Sequence, residues 1–104
     1  MQMRERRRYS RSVIGLELAT VPAALNVRVL DISVAGVLLE SSRSVKPGEH
    51  GRLSLNLGGS PFKVDVEVRR VATVPGPARY RIGAMFVGVR PELYQMIERF
   101  VTSE

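Results

Sequence analysis

The sequence predicts a mainly β fold: a six-stranded antiparallel barrel that ends in an α-helix. Three observations carry this prediction. From Ser12 onward, short β-prone runs follow one another with turn residues between them. Two of those runs alternate apolar and polar residues with a period of two. No helical pattern interrupts the series until Pro91, and strands in sequence without β–α alternation describe a closed or nearly closed antiparallel barrel.

Residues 1–11 read as a flexible, arginine-rich arm holding Arg4, Arg6, Arg7, Arg8 and Arg11. It has no periodicity that would anchor it to a core, and like-charge blocks of this kind stay unstructured until a partner neutralises them. Residues 12–104 form a single barrel domain, with strands near 12–19, 26–32, 36–41, 51–57, 62–74 and 79–88. Leu53, Leu55 and Leu57 share one face of a strand, with Ser54 and Asn56 on the other. Val64, Val66 and Val68 point one way, while Lys63, Asp65, Glu67 and Arg69 point the other. Arg69-Arg70-Val71 then breaks the phase, which predicts a bulge that bends a long strand around the barrel. Pro47-Gly48, Gly58-Gly59-Ser60-Pro61 and Pro75-Gly76-Pro77 mark connections.

The terminal helix is expected over 91–102. Pro91 suits its first turn and Glu92 complements its positive end. Leu93, Met96, Ile97, Phe100 and Val101 recur at i, i+3, i+4, i+7 and i+8, which makes one apolar stripe. Packed down, the stripe caps the barrel; exposed, it would dock a partner or a second protomer.

Composition narrows the function. The chain of 104 residues supports one domain, and with 44% hydrophobic residues it can bury a core. No apolar run approaches the roughly 20 residues of a membrane span, and the N-terminus is charged, unlike a secretory signal. The absence of cysteine favours a reducing, cytoplasmic location. Net charge is +6, with 14 arginines to 2 lysines. A GC-rich genome would account for that ratio, but not for five arginines within the first eleven residues. Arginine presents a planar fork suited to phosphates and guanine edges.

Catalysis finds little support. His50 is the lone histidine, in a turn context, with no second histidine or cysteine to complete a metal site and no nucleophile placed beside it. Carboxylates are scattered, and no Walker-type or Rossmann glycine loop is present. The chain reads as a binder, with no cofactor and no metal.

Two segments carry the binding chemistry. In the arm, Arg7 and Arg11 share an Arg-x-x-x-Arg spacing, as do Arg4 and Arg8; at this arginine content about two such spacings arise by chance, the number found. The second segment, Asp31-Ile-Ser33-Val-Ala-Gly36, lies between the apolar runs around Val27–Leu30 and Val37–Leu39, and a match to Asp-x-Ser-x-x-Gly arises in such a chain about one time in a hundred. Asp31 and Ser33 offer an acceptor and a hydroxyl as the backbone leaves a strand. Gly36 admits a positive φ or a flat ring packed against the backbone. Alternatively, the segment is an ordinary hairpin in which Asp31 and Ser33 only cap their own amides.

Arginine pair, loop and the late strand Tyr80-Arg81-Ile82-Gly83-Ala84-Met85-Phe86, in this order before a terminal helix, resemble the PilZ domain family of bacterial cyclic di-GMP receptors. The resemblance spans about Arg6 to Val101. It implies a six-stranded barrel, cyclic di-GMP as ligand, a downstream protein partner, and second-messenger control of motility, adhesion or polysaccharide output. By the same resemblance the ligand-binding residues fall on Arg7, Arg11, Asp31, Ser33 and Gly36, with Arg6 and Arg8 as further contacts and Gly83 in a packing role. Two rival readings are a same-fold interaction module that binds no nucleotide, and a small basic RNA-binding barrel. With 6% aromatic residues the chain is poor in stacking platforms, so no DNA or RNA is expected.

Overall fold

The computed structural model describes residues 7–8, 13–18, 24–57, 59–77 and 79–102. Its strands are β1 (Arg7–Arg8), β2 (Val13–Leu18), β3 (Ala24–Ile32), β4 (Gly36–Ser41), β5 (His50–Leu57), β6 (Ser60–Thr73) and β7 (Tyr80–Val87), followed by α1 (Pro91–Thr102). The strands from β2 to β7 all pair antiparallel in the order β3-β2-β5-β6-β7-β4, and a β3–β4 pairing closes the ring. These are the six expected strands, with ends shifted by no more than two residues.

The short β1 is additional. It pairs with the far end of β3, Arg7 opposite Ile32 and Arg8 opposite Asp31. The same edge of β3 pairs with β2 at its near end, where Val13 faces Arg28.

Alternation builds the core. Val64, Val66 and Val68 of β6 point inward, as do Ile82, Ala84 and Phe86 of β7 and Val37 and Leu39 of β4. Leu16, Leu53 and Ile97 are completely buried among them. Each buried aliphatic side chain of this size contributes about 1.5–3 kcal/mol of transfer free energy. Ile97 and Val101 of α1 are buried, and Leu93 and Phe100 are half-buried against the same cluster, so the stripe does cap the barrel. The helix packs against β1 and β5.

Local hydrogen bonds close the connections. Pro47-Gly48 forms a tight turn closed by Glu49 N–H donating to Lys46 O at 3.1 Å, and Gly48 takes a φ of 90° that a side chain would resist. The inward-facing Ser41 at the end of β4 is satisfied locally: its hydroxyl donates to Arg43 O at 2.8 Å and accepts from Arg43 N–H at 3.0 Å.

Two strands carry bulges. In β6 the register with β7 slips between Val68 and Arg70, at the predicted phase break. In β3 the register with β4 slips between Val29 and Asp31. Strict alternation from the inward Val29 would have turned Asp31 inward and Ile32 outward. The extra residue, Leu30, reverses this, and Ile32 is buried in the core instead.

Candidate functional site

The bulges lie at the two ends of one cross-strand row. Asp31 in β3 is opposite Leu38 in β4, Leu38 is opposite Gly83 in β7, and Gly83 is opposite Arg70 in β6. The β6 bulge turns Arg70 outward, next to Arg69, just as the β3 bulge turns Asp31 outward. An open groove of about 470 Å³ lies over this row on the outside of the barrel. Asp31, Ser33, Ala35 and Gly36 line one end, Leu38 and Gly83 the middle, and Arg69, Arg70 and Arg81 the far wall. Asp31 is the one carboxylate among the described residues of that lining.

The hairpin that presents Asp31 is tightly built. Ser33 N–H donates to Gly36 O at 2.9 Å, which closes the loop between β3 and β4. Ser33 Oγ accepts from Ala35 N–H at 3.2 Å, and Ala35 O accepts from Phe86 N–H at 3.0 Å, which ties the loop to β7. The serine does cap its own backbone, as in the ordinary-hairpin reading. That bond uses the hydroxyl as an acceptor and leaves its proton to donate elsewhere.

Gly36 has a definite reason to be glycine. It is not among the residues with positive φ. An added Cβ would instead run into the carbonyl oxygen of Ala84 and lie 3.0 Å from Met85 Cα. The close approach at Gly36 is therefore between β4 and β7 of the barrel itself. Gly83 differs from its expected packing role: a Cβ there would meet only Arg70, at 3.7 Å from its Cβ. It lies on the outer face, and the missing side chain keeps the groove floor low.

Asp31, Ser33 and Gly36 thus come together in one groove. Arg7 and Arg8 reach the same edge through β1, where Arg8 is the residue opposite Asp31. Arg4, Arg6 and Arg11 lie outside the described residues. Sequence reasoning missed Arg69, Arg70 and Arg81 as site residues. Their phase break was readable, but their place beside Asp31 depends on β4 and β7 being neighbours across a long gap in sequence. His50 opens β5 opposite Glu67 and is not part of the groove. Among the described residues, no three His, Cys, Asp or Glu side chains cluster as metal ligands would.

Electrostatically, the far wall is a set of cations that form no ion pair among the described residues. Arg70 and Arg81 form no ion pair with any described carboxylate. Glu40, the strand partner of Arg81, lies 3.7 Å from Arg28 instead. Arg69 turns over Met85, its Nη1 2.9 Å from the Sδ.

No curated protein sequence matches the chain. Solved structures do. The PilZ domain of YcgR from Escherichia coli, determined with c-di-GMP, superposes with a TM-score of 0.69 at 19% identity, covering 96% of this chain and 89% of that one. The Bacillus subtilis inhibitor of motility MotI/DgrA gives 0.72 at 16% identity, covering 97% of this chain and 50% of that one. PlzA from Borreliella burgdorferi, in complex with c-di-GMP, gives 0.68 at 14% identity over 96% of this chain and 41% of that one. This chain thus spans half or less of the latter two proteins, and at these identities the likeness establishes the fold. A sequence model of the PilZ domain matches residues 3–103, and the chain belongs to the PilZ domain family.

Proposed function

We propose that the chain is a receptor domain for cyclic di-GMP, held between the N-terminal arm and the outer groove. One observation carries this reading: in a PilZ-family barrel, Asp31 and Ser33 face an arginine wall across a groove floored by Gly83. Cyclic di-GMP presents two guanines and two phosphates. Asp31 accepts from guanine N1–H and N2–H, donors that adenine lacks, and Ser33 donates its hydroxyl proton. Arg7 and Arg11 supply forks for guanine O6 and N7 or for phosphate oxygens, with Arg6 and Arg8 in reach of the same ligand. Gly36 fixes the shape of the groove's end by letting β4 lie against β7.

The β1 pairing supports a role for the arm in signalling, because it lays the arm backbone along β3 beside Asp31. Ligand charge neutralises the arm's arginines, which changes the surface offered to a downstream protein. Membership of the PilZ domain family favours binding over catalysis at this site. A cysteine-free chain of this kind suits the bacterial cytoplasm, and MotI/DgrA, itself named an inhibitor of motility, makes motility the first process to examine.

Titration calorimetry of the full chain with cyclic di-GMP, cyclic di-AMP and a short RNA tests the reading. Micromolar or tighter binding of cyclic di-GMP alone is expected. No heat from any ligand would make this a same-fold interaction module, and salt-dependent RNA binding would make it an RNA barrel. Asp31→Ala should narrow the preference for guanine over adenine; unchanged discrimination removes Asp31 from base reading.

A further inference from the structure

We propose that Arg70, with Arg81 beside it, is a fixed phosphate-binding wall, so that the barrel itself and not only the arm meets the ligand's charge. This inference rests on the groove being the cyclic di-GMP site. A bulge disrupts a ladder and leaves one residue unpaired, yet here one occurs at each end of the same outward row. One sets a carboxylate outward, and the other an arginine. Three strand spacings of about 4.8 Å separate them, roughly 14 Å along a curved sheet. That is the scale of a dinucleotide rather than of a single base.

The charges then assign the chemistry of each wall. Asp31 is an acceptor and takes the donor edge of a guanine. The ligand's remaining strong acceptors are its phosphate oxygens, which need cations. Arg70 and Arg81 are exposed, line the groove, and have no carboxylate partner among the described residues. Glu40, the cross-strand partner of Arg81, is engaged with Arg28. Across from Arg70 stands Gly83, which has no side chain to shield the guanidinium from a ligand over the floor.

The experiment is calorimetric titration of the full chain with cyclic di-GMP at several salt concentrations, comparing wild type, Arg70→Ala, Arg81→Ala, Arg70→Lys and Arg43→Ala. Arg43 is exposed and outside the groove, and controls for loss of one positive charge. Arg70→Ala should weaken binding at least tenfold and reduce the salt slope by about one, as removal of a phosphate contact does. Arg81→Ala should act in the same direction. Arg70→Lys, which keeps the charge and loses the fork, should fall between, and it answers the question even if the alanine variant folds poorly. Arg43→Ala should bind within twofold of wild type. If wild type binds but both alanine variants match it, the fixed wall is overturned while the ligand assignment stands. Equal weakening by Arg43→Ala also overturns it, in favour of a general charge effect. If wild type shows no binding, the assignment of the site fails and this inference fails with it.

Discussion

The two halves of β6 treat charge in opposite ways. Before its bulge, the strand pairs with β5, and Asp65 accepts from Arg52 Nε at 3.1 Å across the ladder. After the bulge it presents Arg69 and Arg70 to β7, where neither forms an ion pair with a described carboxylate. Both halves are antiparallel and carry exposed residues, so the contrast comes from the bulge, which turns Arg70 outward, and from what each half faces. What differs is the neighbour. On one side a charged residue faces its opposite, and on the other an arginine faces a glycine. Neutralised charge makes an inert wall, whereas uncompensated charge over a low floor makes a binding one.

The sharpest way to break this contrast is to remove the arm's share of the positive charge. The Arg7→Ala, Arg11→Ala double variant should lose at least a hundredfold in cyclic di-GMP affinity while thermal unfolding stays within a degree or two of wild type. A large drop in stability would instead assign the arm a structural role. Next in size, Gly36→Ala forces β4 away from β7 at the mouth of the groove, where the obstacle is backbone that cannot rotate away. Overpacking of this kind costs about 1–3 kcal/mol. For a domain of this length, each kcal/mol lowers the melting temperature by roughly 4–8 °C, which differential scanning calorimetry resolves. The smallest effect belongs to the inert wall. Arg52 and Asp65 are 58% and 59% exposed, so a double-mutant cycle should give a coupling of about 1 kcal/mol or less, with ligand affinity untouched. A measurable loss of affinity there would extend the binding surface around the barrel.

Most of the barrel was legible before the structure, and the reasons are specific. Turn residues bracket each strand, and valines at every second position of β6 state which face is buried. The Arg69–Arg70 bulge was readable because two arginines cannot both keep the alternation. Its counterpart in β3 left a fainter trace: Val27, Val29 and Ile32 slip from a period of two, but Leu30 masks the slip by being apolar as well. The strand at Arg7–Arg8 left none, since its pairing depends on an edge of β3 rather than on any β-pattern of its own. In the candidate site, the loop residues stood out by local spacing. The arginine wall did not, because its three members come from strands that meet Asp31 only through the closed topology.

That closure also governs how an event in the groove can be felt elsewhere. Every strand from β2 to β7 has a hydrogen-bonded neighbour on both sides, so bending any one of them strains two ladders at once. Packed, cross-braced frames of this kind resist graded deformation. The economical movement is at the periphery, in β1, which is tied by two residue pairs and touches α1. A displacement of β1 therefore removes part of the surface on which α1 rests. In mechanical terms the closed barrel is the anvil, and β1, with the helix it touches, lies outside that closed ring.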